Sequence, residues 1–429
     1  MTASYCLSDI GMGILRNRRC KRVSEKTARE EYEELKNANL SINMERGWPS
    51  EEQLALSMPM LDVVTSETDL VREIDYRGYA GTGGIAPLKE LFAEVLEVSP
   101  EEIYIGGTMS TTIMYDIFFK AYVFGLNGNK PWKDAGNVSV ICPAPGYEKH
   151  FKICDTFGIK MIPVDIMDDG PDMDAVEKLV SEDASIKGIW CVPLYSNPTG
   201  SIYSDEKVRR LASMRTASDD FTIFWDNAYV IHHLTEEEPK ILNIIRECEK
   251  AGYPNRAWEF ASTSKITFPG GGVGLCASSK ENIEWYTKKT LLQLKSGDKI
   301  NQYRHFLFFK NVDGLKAHMK KLAAIIYPKF KIVDDTLGSK LGDTGLAKWN
   351  VPKGGYFINI ELVGVSAKRV WELCKEAGVK ITPAGSTFPY GDDKKDAFIR
   401  LAPTFCSCEE LKTAMDVFCA AVKFAATEG

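Results

Sequence analysis

Trp258-Glu259-Phe260-Ala261-Ser262-Thr263-Ser264-Lys265 opens largely apolar and closes on hydroxyls and a lysine, and Pro269-Gly270-Gly271-Gly272-Val273-Gly274 follows within a few residues. Residues 258–261 read as a short buried strand, and the small polar residues beyond them as the loop at its carboxyl end. Working outward, short apolar runs recur at 103–105, 138–142, 160–164, 188–192, 222–225 and 274–277, separated by helix-length stretches. Strands alternating with helices predict an α/β fold built on a mainly parallel sheet with right-handed crossovers. Ligands of such sheets sit beyond the carboxyl ends of the strands, so the residues just after each strand are where chemistry is to be sought.

On either side of this pattern the chain changes character. Residues 24–40 are charged and helix-prone, and Arg46-Gly47-Trp48-Pro49 breaks that helix with a turn. An amphipathic helix is expected over 87–97, and the small-residue turn at 106–112 leads into a helix running through Tyr122. Asp174 with Glu177 reads as the capping box of an intervening helix. Beyond about residue 310 come a long helix at 317–330, strands at 355–361 and 398–402 with a helix at 367–377 between them, and a final helix. The expected division is an N-terminal arm with part of a small domain over 1–60, a large domain over 61–315, and a small C-terminal α/β domain over 316–429.

Composition narrows the function. The 429 residues are 44% apolar and carry a formal net charge of −6 with basic residues dispersed, which argues against nucleic acid or an anionic membrane as partner. Eleven cysteines without paired spacing read as reduced thiols, and with neither a signal peptide nor a membrane span in the sequence the expected location is cytoplasmic. Five histidines, two of them the adjacent His232 and His233, supply no recognisable metal set.

Four segments follow strand ends. Lys265 can form an imine with an aldehyde cofactor, with Ser262 and Ser264 donating to a phosphate; taken alone, the segment reads rather as a loop with a solvated lysine. Asp226, in Asp226-Asn227-Ala228-Tyr229, can keep a pyridine nitrogen protonated, and Tyr229 can reach a phenolic oxygen; the alternative is a helix N-cap beside a core tyrosine. Ser196-Asn197-Pro198-Thr199-Gly200 offers the Asn197 amide or simply a β-turn. Arg400 sits inside the apolar pattern Phe398-Ile399-Arg400-Leu401-Ala402, where an unpaired charge is costly, and so reads as a functional group rather than an exposed arginine.

In this order and spacing, Asn197-Pro198-Thr199-Gly200, Asp226 with Tyr229, and Ser262-x-Ser264-Lys265 resemble the signature of the class I aminotransferases, fold type I of the pyridoxal-5′-phosphate (PLP) enzymes. The stretches Arg46 to Leu54, Pro145-Gly146-Tyr147 and Ser264-Lys265-Ile266-Thr267-Phe268 resemble a divergent bacterial branch of aspartate aminotransferases. The resemblance implies a seven-stranded, mainly parallel sheet between helices, a smaller α/β domain, and PLP held by Lys265 as a Schiff base. It assigns Asp226 to the pyridinium, Tyr229 and Asn197 to the phenolic oxygen, and Tyr147 to stacking on the ring. Thr108, Met109, Ser110 and Thr111 with Ser262 and Ser264 become the phosphate cup. Tyr79 becomes a residue reaching the phosphate of a neighbouring subunit, which implies a homodimer with shared sites. Arg400 becomes the grip on the substrate α-carboxylate, with Gly47 beside it.

Two departures stand out. Where most of the family has a phosphate-binding arginine, this chain has Gly271, Gly272 and Val273, so backbone N–H groups of the glycine run are expected to replace it. No spacing identifies a cation for a substrate side-chain carboxylate; Arg46 and Lys149 are the candidates, and Trp48 stands where that branch has a lysine. The expected activity is amino-group exchange between an amino acid, aspartate or glutamate foremost, and a 2-oxo acid such as 2-oxoglutarate, by a ping-pong mechanism. A β-lyase or decarboxylase on the same fold and a non-enzymatic regulator are the alternatives.

Overall fold

The computed structural model describes residues 25–428; Cys6, Cys20 and the start of the N-terminal arm lie outside them. Its centre is an eight-stranded sheet in the spatial order Ile103–Ile105, Gly274–Ala277, Ala257–Ser262, Thr222–Asp226, Ile186–Cys191, Ser139–Ala144, Lys160–Met167 and Gly170–Pro171. The seven expected strands are present, and the eighth is a two-residue piece at the edge. The five strands from Ala257–Ser262 to Lys160–Met167 run parallel, whereas Gly274–Ala277 is antiparallel to both its neighbours.

Thr222–Asp226 shows why the central strands read as unbroken apolar runs: every residue in it is buried. A parallel strand covered on both faces needs apolar side chains in both directions. Alternation sends Phe224 into an aromatic layer with Phe118, Trp132, Trp190, Trp258 and Phe260, and sends Ile223 and Trp225 into the larger core on the other face. Asp226 follows Phe224 toward the first face at the strand's carboxyl end.

The helix Met173–Glu182 corrects one expectation. Its N-cap is Asp172, whose side chain accepts from the N–H groups of Asp174 and Ala175. Asp174 and Glu177 do not form a capping box but both bind Arg210, on the neighbouring helix Asp205–Ser213. Asp174 is the second residue of the helix rather than its N-cap, so its carboxylate, like that of Glu177 one turn on, is placed to take charged hydrogen bonds from Arg210.

Toward the C-terminus, Ala347–Trp349, Ile358–Leu362 and Phe398–Leu401 form an antiparallel three-stranded sheet, and Ile42–Met44 pairs in parallel with Val379–Ile381. Helix Glu25–Lys36 reaches the same region, its Tyr32 stacking on Phe424 of the last helix, Cys408–Glu428, and donating to the Leu373 carbonyl. The arm and the C-terminal elements thus share one core. Among the described residues no helix is long and apolar enough to cross a membrane.

Candidate active site

The strand ends converge on one cleft. An inner cavity of about 140 Å³ is lined by Met109, Ser110, Thr111, Tyr147, Asn197, Asp226, Tyr229, Ser262, Ser264 and Lys265, with Val192, Ala228 and Pro269 completing the wall. It shares Tyr147, Asn197, Ser264, Lys265 and Pro269 with an outer cavity of about 340 Å³ that holds Arg46, Gly47, Trp48, Lys149, Lys152 and Arg400. Residues singled out from four segments of sequence therefore meet in one place.

Asp226 is the last residue of its strand and caps no helix, so the N-cap alternative falls. His150 Nε2 lies 3.0 Å from its Oδ2, whereas Oδ1 is buried without a partner. His150 is fixed by stacking on Trp190, 4.3 Å between centroids with the rings 6° from parallel. The sequence reading missed His150, although it stands three residues after Tyr147, the spacing that brings side chains to one side of a helical turn.

Lys265 is half-buried, its Nζ 5.4 Å from the centre of the Tyr229 ring. Burial draws its ammonium pKa below the usual lysine range; the Asp226 and Glu148 charges oppose this and the Arg400 charge adds to it. Its carbonyl accepts from Tyr356 Oη at 3.0 Å, and the Tyr356 hydroxyl accepts from Gln53 Nε2 at 2.8 Å. Burial pushes the phenols of Tyr147 and Tyr229 well above the ordinary tyrosine range, so both remain hydrogen-bond donors at neutral pH.

Helix Ser110–Phe124 begins at the cavity, and the first N–H groups of a helix lack intrahelical partners. The glycine run departs from expectation in part. The N–H groups of Gly271 and Val273, two of the three expected donors, are given to Phe268 O and Thr263 Oγ1, and that of Gly274 to Gly107 O. What the glycines supply is closeness: a Cβ on Gly274 would stand 2.5 Å from the Met109 backbone, and one on Gly272 2.9 Å from the Thr108 carbonyl. Ser264 Oγ donates to that same carbonyl at 3.2 Å. Thr108 itself is not among the residues that line the cavity.

Arg400 is 4% exposed in strand Phe398–Leu401. Its guanidinium lies over the Phe357 ring, donates from Nε to Thr382 Oγ1 at 3.2 Å, and from Nη1 to Asn197 Oδ1 at 3.1 Å. Glu148 takes the fork itself, with Oε2 2.6 Å from Nη1 and Oε1 3.2 Å from Nη2. Gly47 packs on Phe357, where a Cβ would stand 2.7 Å from the ring. Arg46 leans on Trp48, and both it and Lys149 line the outer cavity.

Tyr79 is apart from all of this. It is 81% exposed and lines neither cavity of its own chain, but its loop is pinned by the buried Lys299, which donates to the carbonyls of Gly78 at 2.7 Å and Ala80 at 2.9 Å.

The comparisons with known proteins agree. The family model for aspartate amino-transferase matches residues 20–429. A putative aminotransferase of Mycolicibacterium smegmatis is 43% identical over 401 residues, 92% of this chain and 94% of its own length. The crystal structure of an aspartate transaminase from Corynebacterium glutamicum matches with a TM-score of 0.92 at 42% identity, covering 94% of this chain and 96% of that one. That of a putative aminotransferase from Corynebacterium diphtheriae gives 0.92 at 45% identity, covering 94% and 100%.

Aminotransferases of this fold work with pyridoxal 5′-phosphate, and the donor set fits it. A buried acceptor without a donor, Asp226 Oδ1, a lysine amine and a helix start with free N–H groups line one cavity, matching a protonated ring nitrogen, an aldehyde and a phosphate. A family match spanning nearly the whole chain and relatives above 40% identity decide among the readings left open by the motifs: the chain belongs to the aspartate amino-transferase family and is an aminotransferase.

Proposed function

We propose that the protein exchanges amino groups between aspartate or glutamate and a 2-oxo acid such as 2-oxoglutarate, in two half-reactions at one site. The observation that carries this reading is the lining of a single cleft by Lys265, Asp226 and Arg400, with the Asp226 Oδ1 acceptor free. Bound PLP supplies an aldehyde carbon to receive amino groups and a ring that withdraws electrons from the substrate α-carbon.

The chain's own groups do the rest. Asp226 would accept the ring N–H and keep the ring cationic, while His150 holds the other carboxylate oxygen. Tyr229 Oη and Asn197 Nδ2 would donate to the phenolic oxygen, and Tyr147 would stack on the ring. Ser110 and Thr111 N–H groups, with the Ser262 and Ser264 hydroxyls, would hold the phosphate, Ser264 giving up its bond to Thr108 O to do so. Lys265, its amine made available by burial, is the residue that would hold the cofactor's aldehyde and would move the proton at the substrate α-carbon. Arg400 grips the α-carboxylate in a two-pronged pair next to Gly47. Arg46 and Lys149, with Lys152 on the same wall, are the cations available to a second carboxylate.

The exposed Tyr79 on its pinned loop reaches the phosphate of a partner subunit, so the working unit is a homodimer of two-domain subunits divided near residues 60 and 315, in a reducing, cytoplasmic setting. The deciding experiment is a donor panel followed by cofactor absorbance. Aspartate or glutamate alone should convert the cofactor once, and 2-oxoglutarate should restore it; no change with any amino acid refutes the reading. Sedimentation should give a dimer, and Tyr79→Ala should lose PLP affinity without losing that mass.

A further inference from the structure

The carboxylate seat on Arg400 is filled by the protein itself. Glu148 meets both Nη atoms in the fork-on-fork geometry that an α-carboxylate would need. Four of the five N–H donors of Arg400 are thereby in use, two on Glu148 and one each on Thr382 and Asn197. A substrate carboxylate cannot make a two-pronged pair there while Glu148 remains.

The surroundings permit exchange. Thr382, Asn197 and the Phe357 ring hold the guanidinium without help from Glu148, so it stays aimed at the outer cavity when Glu148 leaves. Glu148 is the first residue of helix Glu148–Thr156 and its side chain is 23% exposed, against 4% for that of Arg400. Lys152 is one helical turn on, the spacing at which a glutamate and a lysine pair best. Burial works to raise the Glu148 carboxyl pKa, but Arg400 more than offsets it and Lys152 adds to the lowering, so Glu148 remains a charged competitor at neutral pH.

We propose that Glu148 is the resting occupant of the substrate-carboxylate seat, and that amino and 2-oxo acids bind by exchanging with it, Glu148 turning to Lys152. This rests on Arg400 being the α-carboxylate grip. The exchange keeps a buried guanidinium paired at every stage, since removing its partner alone would leave an uncompensated charge. It also makes Glu148 a specificity residue: only a ligand carrying a carboxylate can displace it without stranding Arg400. The cost is a lowered apparent affinity, because only molecules with Glu148 turned away are competent to bind.

The test uses the PLP-loaded enzyme. Glu148→Gln keeps a neutral partner on Arg400 but weakens the competition, so KM for aspartate and for 2-oxoglutarate should each fall about five- to tenfold with kcat within about twofold. The dissociation constant for maleate, a non-reacting dicarboxylate read by cofactor absorbance or thermal shift, should fall in parallel. Unchanged or raised KM and maleate constants in a variant with wild-type cofactor absorbance overturn the exchange and make Glu148 a support for Arg400. Tighter maleate binding in a protein that turns over neither substrate would uphold the exchange while rejecting the aspartate reading. Should Glu148→Gln fail to fold, the exposed Lys152→Met decides on acetate, which has no second carboxylate for Lys152 to bind: depriving the released Glu148 of its second partner should raise the acetate dissociation constant, read by cofactor absorbance, about threefold, and an unaltered constant rejects the proposal.

Discussion

His150 Nε2 lies 3.0 Å from Asp226 Oδ2, while Oδ1 of the same carboxylate is buried with no partner. The histidine takes one oxygen and leaves the other as the acceptor facing the cofactor's place. Its clamp on Trp190 fixes the direction in which that acceptor points. His150→Phe keeps the stacking and removes the hydrogen bond. It should reduce kcat about tenfold and shift the cofactor absorbance, with KM for aspartate little changed. An unaltered kcat would show that Asp226 is held sufficiently by its strand.

Lys265→Ala removes the amine that binds the cofactor and carries the proton. Turnover should drop at least about a thousandfold. Borohydride reduction in the presence of PLP should add the cofactor's mass to the wild type and not to the variant. Labelling of the variant to the same extent would move the covalent role to another lysine.

Gly274 has no room for a side chain, since its Cβ would lie 2.5 Å from the Met109 backbone. Gly274→Ala pushes the 108–111 turn away from the strand and should cost about 1–3 kcal/mol of stability. PLP affinity should fall with it, measured by equilibrium dialysis. A variant that is destabilised but binds PLP normally would detach the turn from the phosphate.

Glu259 lies on the sheet face away from Asp226, opposite Trp225 in the neighbouring strand, and accepts from Asn227 Nδ2 at 2.7 Å. Burial pushes its carboxyl up to about 7; the Asn227 hydrogen bond works against this and the Glu97 charge with it. A carboxyl whose pKa is raised on folding holds its proton longer in the folded state, so stability falls as pH rises from about 4.5 to about 7 and then levels off. From the ordinary 4.5 the rise amounts to about 3 kcal/mol. Glu259→Gln should flatten this decline, gaining most over the wild type at pH 8 and least at pH 5 in urea midpoints. Equal differences at both pH values would mean that Glu259 does not titrate in this range.

The sheet was legible because its inner strands are covered on both faces and hence unbroken in apolarity, as at 222–225, and because strand ends are where such folds bind ligands. Asp226, Asn197 and Lys265 stand out for that reason. The partners of these residues were not legible. Glu148 and His150 follow Tyr147 as an unremarkable charged turn, and only the fold brings them to Arg400 and Asp226. Glu259 did leave a signal, a charge inside an apolar strand, the same signal that marked Arg400. The glycine run was read only for its N–H groups, because sequence does not say whether a glycine is there to expose its N–H or to let another backbone approach. Asp172 lost to Asp174 and Glu177 as the expected cap because the deciding partner, Arg210, is on another helix.

The chain of hydrogen bonds from Gln53 through Tyr356 to the Lys265 carbonyl spans 303 residues of sequence in its first link and 91 in its second. Such distant closures are slow to form, because loop entropy opposes them until the rest of the chain has collapsed. The peptide bearing the reactive amine is therefore among the last to settle, and a nascent or refolding molecule gains chemical competence only once both remote segments have docked. Recovery of activity during refolding should lag behind recovery of helical signal.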